Sequence, residues 1–303
     1  MNLLDLVFPK DMYCVSCGRP LPAQAPGGIA LCEGCSDEIE WIDGRSCAKC
    51  GRPLADENPM EICRDCAGAS AHTGASAHEG ASAHTGASAR EGASAREGVS
   101  AQKERFFGRG YACALYTGRA AGLVREMKYQ GRAWYGDTLS AIMAERYLSM
   151  ADEATGELPW YDCIVAVPSS PGRKAARGFN QAAVLAEGLS RRAGIPLYRD
   201  ILARVRETGV MSSLTEEERR QNLGGAFVVN CDMMKRMMGK RVLLVDDICT
   251  TGSTADACAK ALLSTGAQGV DFIVFAIGAD VRRAKGRPAV VESPGQLRAK
   301  GPT

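Results

Sequence analysis

The chain has 303 residues, and its 37 basic and 35 acidic side chains leave a formal net charge of +2. This balance produces no global field that would select a nucleic acid or an acidic membrane as a partner. No apolar run approaches the roughly 20 residues of a membrane-spanning helix, and the apolar start carries Asp5 and no basic region, which argues against a secretion signal. We therefore expect a cytoplasmic protein with one full-sized domain and a smaller module.

The cysteines are the first local signal. Eight of the 13 fall before residue 67, as the four Cys-x-x-Cys pairs Cys14/Cys17, Cys32/Cys35, Cys47/Cys50 and Cys63/Cys66. Two thiolates on one tight turn can reach the same ion, and two such turns about 12–15 residues apart form a tetrahedral zinc site. Without a secretion signal, paired cysteines indicate metal ligands rather than disulfides.

An internal repeat suggests how the pairs combine. Cys14 and Cys17 are followed by Gly-Arg-Pro-Leu, and so are Cys47 and Cys50. This duplication predicts a double zinc ribbon over residues 1–66 with two structural zinc ions. A cross-braced pairing stays open, because spacing alone does not exclude it. The expected sets are Cys14, Cys17, Cys32 and Cys35 for one ion and Cys47, Cys50, Cys63 and Cys66 for the other.

A hexapeptide repeat follows over residues 67–104. It has almost no large apolar side chain to bury, so we expect a disordered linker. His72, His78 and His84 are the only histidines of the chain, and later copies of the repeat carry Arg instead, which favours a passive repeat over a metal-binding tract. Residues 281–303 are basic and are expected to form a flexible solubilising tail, with electrostatic contact to nucleic acid as the alternative.

Residues 105–280 alternate between predicted strands and helices. This alternation predicts an α/β domain with a mainly parallel sheet. Residues 204–222 are charged and contain no aromatic side chain; we expect either a mobile segment over a binding site or a solvated helix. The predicted strands are 105–116, 162–168, 242–245 and 270–277, and the predicted helices are 118–129, 134–150, 179–192 and 255–263.

The most informative stretch runs from Val242 to Thr254, where a buried strand leads into two acids and a hydroxyl-rich loop. The carboxyl end of such a strand opens into the crevice where α/β sheets bind ligands. The next helix start offers free N–H groups to a phosphate, and Gly252 allows close approach of the backbone. Carboxylates such as those of Asp246 and Asp247 can accept hydrogen bonds from a vicinal diol. The stretch therefore predicts a ligand with a phosphate and two neighbouring hydroxyls.

A second loop carries the complementary charge. Residues 169–178 follow a predicted strand and contain Arg173, Lys174 and Arg177 among small residues. Basic side chains at the carboxyl end of a strand suit a pyrophosphate. A solvated basic turn is the alternative for this loop taken alone.

These motifs carry a resemblance. The stretch 242–254 resembles the phosphoribosyl pyrophosphate (PRPP) signature of type I phosphoribosyltransferases, with four apolar residues, two acids, two variable residues and Thr-Thr-Gly-x-Thr. The chain as a whole resembles the ComF family, in which a double zinc ribbon precedes a phosphoribosyltransferase-like domain. It departs from that family at Met211, where Gln is usual, and in the hexapeptide repeat. The further matching motifs are Lys128-Tyr-x-Gly131, Arg173-x3-Arg177-Gly-Phe-Asn-Gln181 and Arg219-x2-Asn222-x4-Phe227.

The resemblance implies a type I phosphoribosyltransferase fold and a role for each predicted site residue. Mg²⁺ would accompany PRPP on the ligand's own oxygens. An active enzyme would transfer phosphoribosyl to an unknown acceptor and release pyrophosphate. By this resemblance the ribose hydroxyls would be held by Asp246 and Asp247, the 5-phosphate by Thr250, Thr251, Gly252, Ser253 and Thr254, and the pyrophosphate by Arg173 and Arg177, with Lys128 as a further candidate.

Two other functions fit the same residues. A module with this fold but without catalysis could bind single-stranded DNA or competence proteins during DNA uptake, which the resemblance implies for some members. A zinc-held scaffold with a vestigial site is the third interpretation. The lack of aromatic side chains in 204–222 counts against a standard nucleobase as acceptor.

Overall fold

The structure is a computed structural model that describes residues 12–22, 26–55, 61–67, 105–129, 134–152, 155–205 and 225–278. The predicted hexapeptide linker beyond residue 67, most of the predicted charged segment 204–222, and the basic tail lie outside these residues. Among the residues that are described, no helix combines the length and the apolar character needed to cross a membrane.

Helices and strands alternate through the larger part of the chain, as expected. The described helices are α1 (Glu33–Ser36), α2 (Arg64–Ala67), α3 (Gly118–Tyr129), α4 (Tyr135–Leu148), α5 (Pro171–Arg177), α6 (Gln181–Ala193), α7 (Met234–Met237) and α8 (Ser253–Leu263), with 3-10 turns at Pro26–Gly28 and Cys231–Met233. The described strands are β1 (Gly110–Leu115), β2 (Cys163–Ala166), β3 (Leu202–Arg204), β4 (Phe227–Val229), β5 (Arg241–Cys249) and β6 (Gly269–Ile277).

Four strands form one sheet in the order β1-β6-β5-β2, and every pairing in it is parallel. The register places Leu244 of β5 beside Phe272 on one side and beside Val165 on the other. Continuous apolar runs of this kind suit a parallel sheet that is covered on both faces. A separate antiparallel pair is formed by β3 and β4. The predicted fold class, an α/β protein with a mainly parallel sheet, is confirmed.

Different elements of the chain pack on the two faces of the sheet. Successive side chains of a strand point to opposite faces, so Val242 and Leu244 pack against α8 and the second cysteine set. Leu243 and Val245 pack on the other face, against α3, α4 and α6. The second half of the N-terminal module thus shares the core of the sheet, although its composition alone predicted only a separate small module.

The stretch between the two cysteine sets covers an edge of the sheet. Ile42 N–H donates to the carbonyl of Cys113 at 2.9 Å, and Leu115 N–H donates to the carbonyl of Glu40 at 2.8 Å. Trp41 forms an antiparallel bridge with Ala114. These contacts occupy backbone groups that an exposed edge strand would leave unpaired.

Two predicted strand boundaries lie far from those in the structure. The first strand begins at Gly110 instead of residue 105, and β5 continues beyond Val245 through the acid pair to Cys249. That extension follows from pairing, because Asp246 lies beside Val274 and Ile248 beside Ala276 in the neighbouring β6. Tertiary pairing therefore keeps the polar end of this strand extended.

The predicted loop 169–178 contains a short helix, α5. The Ser170 hydroxyl accepts a hydrogen bond from Arg173 N–H at 3.4 Å, and Pro171 occupies the first helical turn. Gly178 closes the helix with a φ of 80°. These are ordinary helix start and stop signals, and they override the loop prediction that the small residues suggested.

Candidate functional site

A cleft opens at the carboxyl edge of the sheet, with a cavity of about 290 Å³. It is bounded by the ends of β2 and β5 and by the starts of α6 and α8. Three separate segments of the chain meet here; two of them were predicted as sites from their own residues, and Lys128 in the third was a candidate through the family resemblance. The predicted site residues that line the cavity are Lys128, Arg173, Arg177, Asp246, Asp247, Thr250, Thr251, Gly252, Ser253 and Thr254.

Each carboxylate of the acid pair accepts a hydrogen bond from the N–H group of the residue that follows it. Asp246 Oδ1 accepts from Asp247 N–H at 2.8 Å, and Asp247 Oδ1 accepts from Ile248 N–H at 2.9 Å. The ammonium group of Lys128 forms an ion pair with Asp247 Oδ2. Burial raises the pKa of Asp246 well above its usual value, and the charge of Asp247 adds to the rise. A cation or a set of hydroxyl donors in the cleft would favour the ionised pair.

The loop after β5 forms a cradle at the start of α8. Gly252 precedes the helix with a φ of 76°, a left-handed conformation that favours glycine. The hydroxyls of Thr251 and Ser253 lie 2.9 Å apart and share a hydrogen bond. The first N–H groups of a helix have no partner within the helix, so this end of α8 combines open donors with hydroxyls. That combination suits a phosphate.

Two arginines hold this loop from behind. Arg52 Nη2 donates to the carbonyl of Thr250 at 2.7 Å, and Arg105 Nη2 donates to the carbonyl of Thr251 at 2.9 Å. Both arginines are buried, with 6% and 8% of their surface exposed. Neither arginine was predicted from the sequence as part of the site. The repeated Gly-Arg-Pro-Leu drew attention to Arg52, but no local pattern pointed to partners almost two hundred residues away.

The basic side of the cleft lies on α5 and the turn into α6. Arg173 is exposed at the mouth of the cleft. Arg177 Nη1 donates to Gln181 Oε1 at 3.2 Å, and Asn180 Nδ2 donates to the carbonyl of Val167 at 3.0 Å. The Asn180 contact ties the turn to the end of β2, which keeps the arginines beside the acid pair. Asn180 and Gln181 were recognised in the sequence as a motif, without a role in the site.

Both cysteine sets have the geometry of a zinc site. The four Sγ atoms of each set lie within 4.8 Å of one another, and the sets are the sequential ones, 14/17/32/35 and 47/50/63/66. A tetrahedron with Zn–S bonds of about 2.3 Å has edges of roughly 3.8 Å. Cys17 Sγ lies 3.7 Å from Cys32 Sγ, and Cys50 Sγ lies 3.6 Å from Cys63 Sγ. The residues therefore fit one zinc ion per set, and four thiolates leave no open position for catalysis.

Two family models match separate parts of the chain. The family model of the double zinc ribbon domain matches residues 3–67, and that of the phosphoribosyl transferase domain matches residues 180–293. A purine phosphoribosyltransferase structure from Pyrococcus horikoshii is 17% identical over 53% of this chain and 95% of its own, with a TM-score of 0.27.

Curated relatives are similar over about half of the chain. Competence protein F of Haemophilus influenzae is 35% identical over 147 residues, 48% of this chain and 62% of that protein. DNA utilization protein YhgH of Escherichia coli K12 is 32% identical over 170 residues, 56% of this chain and 72% of that protein. Competence protein ComFC of Streptococcus pneumoniae is 39% identical over 129 residues, 43% of this chain and 54% of that protein. The match thus spans less than two thirds of the Haemophilus and Streptococcus proteins.

Proposed function

The chain belongs to the ComF family, and from that premise we propose that its cleft binds PRPP with Mg²⁺ and transfers phosphoribosyl to an acceptor, with release of pyrophosphate. One observation carries this proposal. Two segments that are far apart in sequence meet around one cavity: one carries the two arginines, and the other carries the acid pair and the phosphate-type loop, while Lys128 lines the same cavity from a third. These are the groups that a ribose with phosphate and pyrophosphate at its two ends requires.

In this proposal Asp246 and Asp247 accept hydrogen bonds from the ribose hydroxyls, and the loop 250–254 binds the 5-phosphate. Lys128 neutralises Asp247 in the ligand-free protein. Ribose hydroxyls that reach Asp247 would compete with this ion pair and release the ammonium towards the pyrophosphate, beside Arg173 and Arg177. Lys128 would then exchange one anionic partner for another, which limits the cost of opening a buried ion pair.

The proposed reaction breaks the bond between the anomeric carbon and the pyrophosphate oxygen, and the acceptor's lone pair forms the new bond. Mg²⁺ on the ligand's oxygens would balance the charge of the departing pyrophosphate. The chain's own contribution is electrostatic: carboxylates close to an oxocarbenium-like centre and cationic side chains close to the leaving group. No described residue has to act as a nucleophile.

Calorimetry with Mg–PRPP tests the binding step. We expect wild type to bind with a Kd on the order of micromolar, and the double variant Asp246→Asn/Asp247→Asn to lose binding. Asp162→Asn is the control, because Asp162 is an acid at the opposite end of β2 that pairs with Lys240. Zinc content and melting temperature should be measured for each protein. A folded, zinc-loaded wild type that does not bind Mg–PRPP would refute the proposal.

Relatives named competence protein F and DNA utilization protein YhgH support a second proposal, that the chain takes part in DNA uptake or use and binds single-stranded DNA. Phe106 is 41% exposed, and the Lys260 ammonium lies 5.1 Å from the centre of its ring. An exposed aromatic ring beside a cation can stack on a base while the charge contacts a phosphate.

Fluorescence anisotropy with a labelled single-stranded oligonucleotide tests this second proposal over a salt series. Binding should weaken steeply as salt increases, and Phe106→Ala should weaken it by roughly tenfold, since stacking on one aromatic contributes about 1–3 kcal/mol. Trp160→Ala removes another exposed aromatic and is the control. Equal effects of the two substitutions would remove Phe106 from the proposed interface.

A further inference from the structure

We infer that the second zinc ribbon positions the phosphate loop, defined here as residues 250–254, and that Arg52 is the positioning residue that connects the two. The effect on ligand affinity rests on the proposed function, whereas the effect on the loop itself does not. Arg52 and Arg105 are not among the described residues that line the cleft, so they act on the loop from its far side.

The contacts join parts of the chain that are remote in sequence. The Arg52 guanidinium donates to the carbonyl of Thr250 and also to the carboxylate of Asp65. Arg105 holds the next carbonyl, that of Thr251. Hydrogen bonds from a charged donor are roughly twice as strong as neutral ones, so two consecutive peptide groups of the loop are held by strong, buried contacts.

Holding a carbonyl also orients the amide that follows it. In a trans peptide group the C=O bond and the next N–H bond point in opposite directions across one plane. With the carbonyls of Thr250 and Thr251 directed to the arginines, the N–H groups of Thr251 and Gly252 must point away from them. Loop N–H groups with a set orientation bind an anion without paying the entropy of ordering the loop on binding.

A zinc ion on the second cysteine set would fix the position of Arg52. The arginine lies two residues after Cys50, and its carbonyl accepts from Cys47 N–H at 2.7 Å. Its partner Asp65 lies between Cys63 and Cys66. The guanidinium and the carboxylate that orients it are therefore both anchored to ligands of the same ion. Loss of that zinc would release the brace, which links metal loading of the second ribbon to the shape of the phosphate loop.

The chain contains its own control. Arg19 occupies the same place in the first copy of the Cys-x-x-Cys-Gly-Arg-Pro-Leu motif, but it is exposed, whereas Arg52 is buried. Arg19→Gln and Arg52→Gln make the same chemical change in the same local structure. Only Arg52→Gln removes a donor from the loop.

Hydrogen exchange of the full-length, zinc-loaded protein tests the brace without a ligand. Mass spectrometry should follow peptides that cover the loop and the first turn of α8, where Asp256 N–H donates to the Gly252 carbonyl at 2.9 Å. These peptides should exchange roughly tenfold faster in Arg52→Gln than in wild type, as expected for the loss of one charge-assisted hydrogen bond. Arg19→Gln should match wild type. If loop exchange is unchanged in an Arg52→Gln protein that retains both zinc ions, the inference is overturned. Should Arg52→Gln not fold, Arg52→Lys and Arg105→Gln are measured in the same way.

Binding of two half-ligands, ribose 5-phosphate and pyrophosphate, distinguishes a positioning role of Arg52 from a general loss of structure. Ribose 5-phosphate should bind the braced loop, whereas pyrophosphate should bind beside Arg173 and Arg177, which Arg52 does not contact. We expect Arg52→Gln to weaken ribose 5-phosphate by about tenfold or more and to leave pyrophosphate affinity within about twofold. Equal weakening of both would show a merely structural role and refute positioning. If wild type binds neither half-ligand, the proposed function fails, and the exchange measurement still decides whether the brace exists.

Discussion

The two zinc ribbons are close copies at the level of the backbone. In the first, Gly18 N–H donates to the Cys14 carbonyl and Cys14 N–H to the Arg19 carbonyl, both at 2.8 Å. The second repeats this pattern with Gly51, Cys47 and Arg52 at 2.8 and 2.7 Å. Both glycines have a φ of 74°. The same short sequence, each copy with its own set of four cysteines, therefore forms the same turn twice.

Their surroundings are not alike. A Cβ added at Gly18 would meet nothing within 4 Å, whereas one at Gly51 would lie 2.5 Å from the Gly110 carbonyl at the start of β1. Asp65, the acid that holds Arg52, corresponds to Gly34 in the first ribbon. Duplication therefore explains the shared local turn, whereas contact with the sheet places Arg52 of the second copy within hydrogen-bond distance of the Thr250 carbonyl.

The largest difference in stability between variants of the two ribbons is expected when one zinc ligand is removed from each. Cys50→Ser and Cys17→Ser change the same motif position, but Cys50 is buried in the core of the sheet and Cys17 is exposed. We expect Cys50→Ser to lower the free energy of unfolding by on the order of 4–5 kcal/mol, because it removes a metal and opens the core, and Cys17→Ser to cost clearly less. Denaturant unfolding, with zinc content measured alongside, compares them. Equal losses would mean that the second ribbon is not integral to the core.

The next largest difference in stability is expected between substitutions of the corresponding glycines, Gly18 and Gly51. Gly18→Ala and Gly51→Ala both place a Cβ in a left-handed conformation, at a cost of about 1–2 kcal/mol. Gly51→Ala should cost roughly 1–3 kcal/mol more, since the added methyl meets backbone that cannot move aside easily. The difference in unfolding free energy between the two variants measures the closeness of ribbon and sheet. A difference near zero would contradict the packing described for Gly51.

A smaller effect on stability is expected when Asp65 of the second ribbon is replaced by glycine, the residue at the corresponding position of the first ribbon, Gly34. Asp65→Gly removes the carboxylate that orients the buried guanidinium of Arg52, and we expect a loss of about 1 kcal/mol in the free energy of unfolding, because Asp65 is partly exposed. Exchange of the phosphate loop should then fall between wild type and Arg52→Gln. Asp37→Gly, on the first ribbon, is the control. A loop as protected as that of wild type would show that Thr250 alone holds Arg52.

The smallest expected effect arises in the strand that leads into the loop. The raised pKa of Asp246 means that the folded, ligand-free protein binds a proton more readily than the unfolded chain. Stability should therefore fall as pH rises from about 3.9, the usual pKa of aspartate, through the raised pKa of the folded state. Asp246→Asn should remove this dependence and raise the melting temperature at neutral pH by roughly 2–4 °C. A melting temperature that falls would mean that the ionised carboxylate stabilises the fold.

Much of the fold followed from local patterns. The run Val242–Val245 predicted a buried strand because four apolar residues in succession suit burial on both faces. The cysteine repeat predicted two zinc sites, and the geometry of both sets agrees. The loop prediction for 169–178 was wrong because small and basic residues outweighed the cap signals at Ser170 and Gly178. The predictions for the linker, the charged segment and the tail fall outside the described residues and stay predictions.

The sequence by itself determined which residues are proposed to bind a phosphorylated sugar, since acids, hydroxyls and glycine stand next to each other between Asp246 and Thr254. It also determined the turn of each ribbon, because thiolate spacing and a left-handed glycine are local properties. Only the tertiary structure decided that Lys128 forms an ion pair with Asp247 and that Arg52 donates a hydrogen bond to the carbonyl of Thr250. Contacts between remote segments depend on how the sheet and its cover pack, and no short-range pattern encodes them.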